Sequence, residues 1–555
     1  MTKNLVLFFL PLFVAVGIAQ EPKPQLPQTY IDTTFNPPVG VTLPAHTSTD
    51  FKNALNSANP GDTIVLDAGV TYQGNFTLPA KANSNNQWIY IVGSALSSLP
   101  VPGTRVNPAT DAANMPKIVT PNTTAALTLS PGANYYRLVG LEVYSASNYG
   151  CAPRANPPRN CFSYQLLNST WATGQTLADS ITVDRCYLHG SPTQDIIRAI
   201  AANISSFAIV DSYISDIHAY GVDSQAICSW SSPGPIKIVN NLLSATGEDV
   251  MFGGAGGVNN PWIPSDLEIR NNHFFKPLSW QQVGVTIPPH NPWVVKNNLE
   301  FKSGRRALVD SNVLENTWAS GQIGFSVLLT VRTSESGNIA VVDDITISNN
   351  VLTNVVSGFQ TGEHDSTCPT TPGCTNSGEV RRIKIYNNLV LFHNPTGPGS
   401  INTYFGVIFS KEATDFVVQH NTFVPFPGTN CWDSIYFSLP AGSPWPPVSP
   451  PTHNVWILDN VLCRQPTGDW QVQGSKGLSV YMADPSPWAP RYLGNVMYVP
   501  SYDKVQTFPA HNYSTTVPFI YVDPSAGNYQ LSVPNWTDTS DGQISGVNSS
   551  TLPPF

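Results

Sequence analysis

The stretch Ile345-Thr-Ile-Ser-Asn-Asn350 alternates apolar and polar residues and then ends in two asparagines. Alternation with a period of two predicts a β-strand that is buried on one face. Related stretches return roughly every 25 to 40 residues, a period typical of solenoid proteins. They are Ile181–Cys186, Phe207–Ser212, Ile236–Asn241, Leu267–Asn272, Ala307–Asn312, Ile383–Asn388, Phe416–Asn421 and Val455–Asn460. The sequence therefore predicts an all-β fold, a single-stranded right-handed parallel β-helix.

The recurring asparagines have a structural explanation. Each coil of a β-helix turns sharply at the same place, and asparagine tolerates the left-handed backbone that such a turn needs. Stacked asparagine side chains can also form hydrogen bonds along a ladder of parallel strands. We predict that Asn241, Asn272, Asn350 and Asn388 stack in one ladder at one corner, and we assign no chemistry to them.

A second family of strand-like segments lies between these repeats and should stack as a further parallel sheet. Its members span residues 195–201, 224–230, 248–253, 298–303, 325–332, 358–363, 405–411, 434–437 and 478–481. Both ends of such a solenoid need covering, because they expose sheet edges and core. A short helix over 49–58 and an irregular C-terminal segment are the predicted caps.

The first residues have the pattern of a secretory signal peptide: Lys3, an apolar run over 5–18, and small residues at 17 and 19. The run is short for a membrane span, and Pro11 interrupts it. We expect a signal peptide at 1–19, an N-terminal extension at 20–44, the β-helix at 45–520 and a C-terminal cap or tail at 521–555. The protein is then expected to be secreted, periplasmic or extracellular, to have no membrane span and to be a monomer.

Charge and cysteine content exclude some functions. The net charge of −9 argues against nucleic acid, which needs a basic surface, although an acidic protein can still carry a basic cleft. Disulfides are plausible in an exported protein. Cys151 with Cys161 and Cys368 with Cys374 could fasten loops, whereas Cys186, Cys228, Cys431 and Cys463 lie in strand-like repeats. Their spacing contains no CxxC motif, which argues against a zinc site.

The repeats and both predicted caps resemble the pectate-lyase-like superfamily of parallel β-helix proteins, from about residue 45 to the C-terminus. Particular segments are more similar to a bacterial family of exported β-helix repeat proteins. They are Asp223–Ile227, Gly234–Asn241, Glu248–Gly254, Pro264–Ile269, Asn272–Trp280 and Val295–Lys302. The resemblance implies the fold and export, and the superfamily suggests a polysaccharide as partner.

Motifs of the superfamily's pectin-hydrolysing enzymes are only partly present. Asp343-Asp344 and Arg382-Ile-Lys384 match two of four motifs, but both lie in the strand repeat, and the other two motifs are missing. The Arg-x-Pro-x-x-Arg segment of well-known pectate lyases is not found either. We therefore interpret both matches as coincidental.

Charged residues make up 11% of the chain, yet they recur where the second strand family ends. The same strand position repeats about every 4.8 Å in a parallel solenoid, so these side chains should form one stripe beside a groove. The stripe comprises Lys302 with Arg305 and Arg306, Arg332, Glu363 with Asp365, and Lys411, and it extends to Glu248 and Asp249.

This stripe suggests a polyuronate lyase, which needs a base, an acid and a group that neutralises the substrate carboxylate. Lys302, flanked by Arg305, is the candidate base, because nearby positive charge lowers the pKa of a lysine. Arg332 is a candidate for pairing with the carboxylate, and Glu363 is the candidate acid or, with Asp365, a calcium ligand. The other candidates are Lys411, Arg306 and Trp230 for substrate binding, and Glu248, Asp249 and Asp365 as ligands of calcium, which prefers oxygen.

Three alternatives stay open. Two carboxylates of the stripe could hydrolyse a glycosidic bond as acid and base. The charges could be solvated strand ends that pair with one another. The chain could also be a non-catalytic cell-surface or glycan-binding solenoid, which the missing enzyme motifs favour.

Overall fold

The structure is a computed structural model. It describes residues 21–146, 165–169, 174–192, 194–219, 221–254, 262–281, 293–332, 340–362, 380–393, 405–409, 413–427, 433–437, 452–464, 467–468, 491–499, 510–532 and 538–555. The chain coils through three long parallel sheets, which confirms the predicted right-handed parallel β-helix. The expected signal peptide lies outside the described residues.

The first sheet contains the strand repeats that end in asparagine. Each strand pairs in parallel with the strands of the preceding and the following coil. Its strands in the described chain are Thr42–Ala45, Thr63–Leu66, Ile89–Gly93, Asn134–Val139, Ala178–Asp184, Ile204–Val210, Ile236–Val239, Ser265–Arg270, Gly304–Asp310, Val342–Ser348, Val380–Tyr386, Ala413–Gln419, Thr452–Leu458 and Arg491–Leu493.

The second sheet follows directly after the asparagine corner, and the sequence did not predict it as a separate sheet. Its short strands are Thr71–Gln73, Lys117–Thr120, Glu142–Ser145, Tyr187–His189, Tyr213–Ile217, Leu242–Ala245, His273–Phe275, Val313–Glu315, Val351–Val355, Leu389–Phe392, Thr422–Val424, Val461–Leu462, Val496–Tyr498 and Tyr513–Thr515.

The third sheet is formed by the second family of predicted segments, except residues 478–481, which lie outside the described chain. Its strands are Phe76–Leu78, Leu127–Leu129, Gln165–Ser169, Arg198–Ala202, Gln225–Ser229, Glu248–Phe252, Leu299–Phe301, Phe325–Thr330, Ser357–Gly362, Phe405–Phe409, Asp433–Phe437 and Thr467–Gly468. Its central row packs into one continuous core and consists of Ile200, Ile227, Val250, Leu299, Val327, Phe359, Val407 and Ile435.

Short elements cover the two ends. The helix Ser48–Ser57 begins with a capping box between Thr47 and Asp50 and buries Phe51 and Leu55 in the core, as predicted for the N-terminal cap. The other helical segments are Pro108–Asp111, Leu96–Ser98, Ala112–Asn114, Leu278–Trp280, Pro524–Ala526 and Ser549–Thr551. Tyr521–Asp523 and Asn528–Leu531 form an antiparallel pair near the C-terminus. In the described part of the chain, no helix is both long and apolar enough to span a membrane.

The asparagine ladder is confirmed. The side-chain oxygen of Asn350 accepts hydrogen bonds from the backbone and the side chain of Asn312, both at 2.9 Å. Asn350 in turn donates to Asn388 at 2.9 Å, so each rung repeats the same contacts. The ladder runs through Asn241, Asn272, Asn312, Asn350, Asn388, Asn421, Asn460, Asn495 and Asn512.

The two asparagines of each pair have different roles. The first takes the left-handed backbone that the corner requires, with φ of 59° at Asn240 and 56° at Asn349. In other coils His420 and Asp459 occupy this position, with φ of 56° and 57°. The second asparagine carries the ladder. The corner therefore separates the strained backbone position from the hydrogen-bonding position.

The N-terminal strap, residues 21–36, runs along the first sheet from later coils toward earlier ones. Its contacts join Glu21 to Lys384 (3.5 Å), the Gln25 amide to Asp344 (3.1 Å), the Gln28 amide to Asp266 (2.9 Å), the Ile31 carbonyl to Lys237 (3.1 Å) and the Asn36 carbonyl to Tyr90 (2.8 Å). Asp344 also forms an ion pair with Arg382, at 2.7 Å. The partial motif matches at these two residues therefore have structural roles.

The C-terminal strap, residues 538–555, lies against the asparagine corner and also runs toward earlier coils. Its contacts join the Ser540 amide to Asp459 (2.8 Å), the Ser545 hydroxyl to the Gly494 carbonyl (2.6 Å), the Val547 amide to Thr422 (2.9 Å), the Asn548 amide to Asn387 (2.6 Å) and Thr551 to Asn349 (3.3 Å).

Two of the cysteines are free thiols. Cys186 and Cys228 are buried and unbonded, and burial raises the pKa of each. The loop cysteines expected to pair, Cys151 with Cys161 and Cys368 with Cys374, lie outside the described residues, as does Cys431. These disulfides remain predictions.

Candidate functional site

Alternation within the strand Leu299–Phe301 decides which charged side chains meet outside the core. Leu299 and Phe301 are fully buried in the hydrophobic core. Successive side chains of a strand point to opposite faces, so Glu300 and Lys302 lie on the outer face of the third sheet. The neighbouring strand brings Met251 into register with Glu300.

Six side chains meet on this face, and we call them the carboxylate–lysine cluster: Arg198, Gln225, Glu248, Lys296, Glu300 and Lys302. Register places the first three on successive strands. Glu248 and Glu300, at 0% and 1% exposure, are hydrogen-bonded to each other. Gln225 Nε2 donates to Glu248 Oε2 at 2.7 Å. In two buried carboxyl groups in such contact, like-charge repulsion raises the pKa of one of them and favours a single shared proton.

Two lysines flank the carboxyl pair and reach solvent. Lys302 Nζ lies 3.6 Å from Glu300 Oε1 and 3.1 Å from the Met251 sulfur. Lys296 Nζ lies 3.7 Å from Glu248 Oε1 and 2.5 Å from Asp223. The two lysine side chains are 14% and 15% exposed. Two ammonium groups of this cluster therefore reach solvent, and the Asp223 carboxylate, 36% exposed, offsets the charge of Lys296.

A glycine makes room for Lys302. Gly254 has a φ of +87°, and a Cβ at this position would lie 2.4 Å from Lys302 Cδ. Any larger residue would displace the lysine stem and strain the backbone. Gly254 therefore positions Lys302 across the end of the neighbouring strand.

Arg198 and Trp230 form one border of the cluster. The guanidinium carbon of Arg198 lies 5.0 Å from the centre of the Trp230 ring, a cation–π contact. The thiol of Cys228 is close enough for the charges of Arg198 and Lys302 to act on its pKa. Two of the predicted residues, Trp230 and Lys302, thus lie on the same surface.

The electrostatics of the cluster separate the two carboxyl groups. Burial and the neighbouring charge of Glu248 raise the pKa of Glu300 to about 8. Burial acts in the same direction on Glu248, but Lys302 and Lys296 outweigh it and hold the pKa of Glu248 below its ordinary value. Near neutral pH, Glu300 therefore keeps the shared proton and Glu248 is ionised.

The cluster also offers oxygen atoms suited to calcium. Gln225 Oε1, Glu248 Oε1 and Asn297 Oδ1 are buried and accept no hydrogen bond from a described N–H or hydroxyl group. Amide and carboxyl oxygens are the hard ligands that calcium prefers. The residues therefore fit this ion by donor type, with Glu248 as the charged ligand, and Glu300 would have to lose its proton to join it.

Asp249 does not belong to this set, which corrects the expectation that it joins Glu248. Its carboxylate points into the core, where it accepts from the Ala245 amide (2.7 Å) and Asn298 (3.0 Å). Lys276, fully buried, lies 3.5 Å away and donates to the carbonyls of Ala245 (2.6 Å) and Gly247 (3.1 Å). Burial raises the pKa of Asp249 to about 6 and lowers that of Lys276.

Arg305 and Arg306 also lie elsewhere, because the chain has already turned into the first sheet. Arg305 Nε donates to Ser265 Oγ at 3.2 Å, and Arg306 pairs with Asp266 at 2.7 Å. The prediction that these arginines flank Lys302 is therefore wrong. The carboxyl groups of Glu248 and Glu300 lie beside Lys302 instead.

Only part of the predicted stripe can be followed. The Arg332 amide donates to the Lys302 carbonyl at 2.9 Å, so Arg332 follows Lys302 in the next coil. Glu363, Asp365 and Lys411 lie outside the described residues.

Lys302, Glu248 and Trp230 are the predicted residues that the structure brings together. The cluster residues that the sequence did not predict are Arg198, Gln225, Lys296 and Glu300. Glu300 had a usable signal, because it is two residues from Lys302 between buried Leu299 and Phe301.

No protein-family model matches the chain, and no curated protein matches it. Three similar solved structures are an alginate lyase from Paenibacillus sp. FPU-7, the PL6 family alginate lyase AlyGC and an exopolygalacturonase from Thermotoga maritima. Their identities are 15%, 14% and 12%, with TM-scores of 0.38, 0.47 and 0.39. The matches cover 70%, 92% and 82% of this chain and 97%, 57% and 94% of theirs.

The expected resemblance to pectate-lyase-like proteins holds for the parallel β-helix fold, which the three sheets of this chain show. At such identities the likeness concerns the fold alone. The closer resemblance to an exported bacterial family stays a prediction.

Proposed function

We propose that the protein is an exported lyase that cleaves an acidic polysaccharide by β-elimination at the carboxylate–lysine cluster. The observation that carries the proposal is the buried pair of Glu248 and Glu300 in contact with a partly exposed lysine, Lys302. In enzymes, two neighbouring carboxyl groups whose pKa values are shifted in opposite directions typically take part in acid and base catalysis. Export remains part of the proposal, because residues 1–20 are not described.

The substrate class follows from the charges that reach solvent. Lys302 and Lys296 are partly exposed, while the carboxyl groups of Glu248 and Glu300 are 0% and 1% exposed. The exposed Asp223 carboxylate pairs with Lys296, so an acidic substrate must compete with it for that lysine. The cluster spans four successive strands of the third sheet, a length of about 14 Å. A polymer with a carboxylate on each sugar can lie along such a row, with its negative charges against the ammonium groups.

Elimination breaks the C–H bond next to the substrate carboxylate and the bond to the neighbouring glycosidic oxygen. The base takes the proton, the freed electron pair forms the carbon–carbon double bond, and the leaving oxygen departs with the electrons of its broken bond and takes a proton from water. Lys302 is the proposed base because it is the partly exposed group in contact with the proton-holding pair. Lys296 and Arg198 neutralise the substrate carboxylate and so lower the energy of the carbanion-like transition state.

A lysine acts as a base only after it loses its own proton. Glu300 and Lys302 each start with one proton to lose. After one of these protons has left, the other can reside on either residue, and Lys302 acts as the base when that proton is on Glu300. We expect turnover to rise as pH increases through about 8, the pKa of Glu300. Glu300→Gln removes this titrating group, so the rise should shift away from about pH 8. The pH profile of initial rates measures this shift, and an unchanged profile would remove Glu300 from the network.

The direct test is a panel of uronic-acid polymers with detection of unsaturated product in the ultraviolet. Lys302→Ala should lower turnover by about 10³-fold, the usual range for a lost general base. Lys384→Ala is the matched control, since Lys384 is also a partly exposed, ion-paired lysine, on a different sheet. Full activity in Lys302→Ala would contradict the assignment.

Other outcomes separate the alternatives. New reducing ends without unsaturated product would favour a hydrolase, although hydrogen-bonded carboxyl groups are closer than the about 5 Å that retaining glycosidases need. Binding without any cleavage would favour a non-catalytic glycan-binding solenoid. Calcium, if it binds at Glu248 and Glu300, would supply further positive charge for the substrate carboxylate, and assays with and without a chelator test this.

A further inference from the structure

A second group of ionisable side chains lies far along the chain from the proposed active site, at the asparagine corner. His420, Asp459 and Asp541 each direct one ligand atom toward a common point, and these atoms all lie within 4.8 Å of one another. His420 and Asp459 occupy the same left-handed position in successive coils, whereas Asp541 comes from the C-terminal strap. The group therefore joins two distant parts of the chain.

The distances suit a metal ion. His420 Nε2 lies 2.9 Å from Asp541 Oδ2 and 3.8 Å from Asp459 Oδ2. Two ligands of a tetrahedral zinc ion, each bonded at about 2.0–2.1 Å, lie about 3.3 Å apart. The observed distances lie on either side of that value, so small side-chain rotations would bring the three atoms into a coordination shell.

The charge balance also favours a cation. Asp459 is fully buried, and no described lysine or arginine pairs with either carboxylate. Asp459 accepts hydrogen bonds from Ser540 and from Gln419 Nε2 (3.2 Å), but these donors are neutral. One histidine can balance at most one of the two negative charges. A divalent ion balances both.

The surroundings leave space for the ion and its approach. His420 lines a cavity of about 320 Å³ that Tyr386 and Gln543 also border, and the Asp541 side chain is 32% exposed. The next coil has Gly494 at the equivalent corner position, where a Cβ would lie 2.0 Å from Asp459 Oδ1. Because glycine has no side chain, position 494 does not clash with the Asp459 carboxylate. A water from the cavity can serve as the fourth ligand.

We propose that His420, Asp459 and Asp541 bind one divalent transition-metal ion, with Zn²⁺ as the probe, and that the ion fastens the C-terminal strap to the solenoid. One imidazole nitrogen with two carboxyl oxygens and a water is a donor set that zinc accepts. The missing CxxC motif argues only against a zinc site made of cysteines, and none of these three ligands is a cysteine.

The experiment uses the full mature chain, stripped with a chelator, dialysed and then given Zn²⁺. We expect one zinc per chain by elemental analysis, a rise of about 3 °C in the unfolding midpoint, and protection of the C-terminal strap from proteases. His420→Asn and Asp541→Asn should abolish all three effects, and asparagine suits the left-handed backbone at 420. If His420→Asn does not fold, Asp541→Asn decides, because Asp541 lies on the strap and is partly exposed.

The chain contains a matched control. His511 and Asp538 also form a histidine–aspartate pair, at 2.7 Å, but both are more than half exposed and no third ligand joins them in the described chain. His511→Asn should keep the zinc and the stabilisation. The proposal is overturned if the wild-type chain takes up no stoichiometric zinc, if Asp541→Asn binds as much as wild type, or if His511→Asn loses the ion.

Discussion

Lys276→Met is expected to lower the free energy of unfolding by about 3–5 kcal/mol at neutral pH, the usual cost of removing one partner from a buried ion pair. Lys276 and Asp249 are both fully buried, and Lys276 Nζ also donates to the carbonyls of Ala245 and Gly247. Methionine has a similar volume but no donor. The variant would leave an ionised carboxylate and carbonyl oxygens in the core without their cation.

This loss should shrink as pH falls. Burial raises the pKa of Asp249 to about 6 even with Lys276 present, and removing the lysine raises that pKa further. The pKa of Asp249 is higher in the folded protein than in the unfolded chain. The destabilisation caused by its ionised carboxylate is therefore fully present at pH values above the folded-state pKa and absent at pH values below the unfolded-state pKa. Urea denaturation at pH 7 and near pH 4 measures the difference.

Two further variants control this experiment. Lys384→Met removes a partly exposed ion pair with Glu21, for which we expect a loss below about 1 kcal/mol. Lys276→Met combined with Asp249→Asn should recover part of the stability, because no buried charge then remains unpaired. A single Lys276→Met variant as stable as wild type would show that Asp249 is already neutral in the folded protein.

Asn350→Ala is expected to cost about 3–5 kcal/mol, since each buried group left without a partner costs about 1–3 kcal/mol. The Asn350 side chain, fully buried, accepts two hydrogen bonds from Asn312 and donates to Asn388 and to the Val309 carbonyl. Alanine would leave the backbone N–H of Asn312 without its acceptor and would remove one of the three acceptors of the Asn312 side-chain amide. Thermal or urea unfolding measures the loss.

The position along the ladder provides the control. Asn512 is the last rung and is partly exposed, so water can replace its contacts in Asn512→Ala and the loss should be smaller. Asn350→Asp keeps the acceptor for Asn312 but places a second oxygen against the carbonyl oxygen of Val309. We expect it to be at least as destabilising as alanine at pH 7. Equal stability of all three variants would mean that the ladder contributes nothing to folding.

The fold could be predicted from the sequence because its information is local and repeated. A segment such as Ile345–Asn350 shows by alternation which face is buried, and its asparagines mark the corner. The second sheet was missed because strands such as Val313–Glu315 have three residues, too few to show a period. The straps gave no signal, since their partners are far apart in sequence.

The site could be predicted only in part. Lys302 and Glu248 were found because charged residues are scarce and recur at strand ends. Asp249 was misplaced because two adjacent acids cannot both face outward, and its partner Lys276 is buried 27 residues later. Arg305 and Arg306 were misplaced because the strand Gly304–Asp310 begins immediately after Lys302. Register errors of one or two residues decide such assignments.

The N-terminal strap has a consequence for the order in which the chain folds. The Gln25 amide binds Asp344, 319 residues later, and Glu21 meets Lys384 later still. During synthesis the N-terminal residues appear first, but they cannot make these contacts until most of the coils have formed. The first residues to appear are thus the last to attach. Their attachment also couples coils that are far apart in the solenoid, as the C-terminal strap does, so local unfolding of a middle coil must loosen the strap across several others.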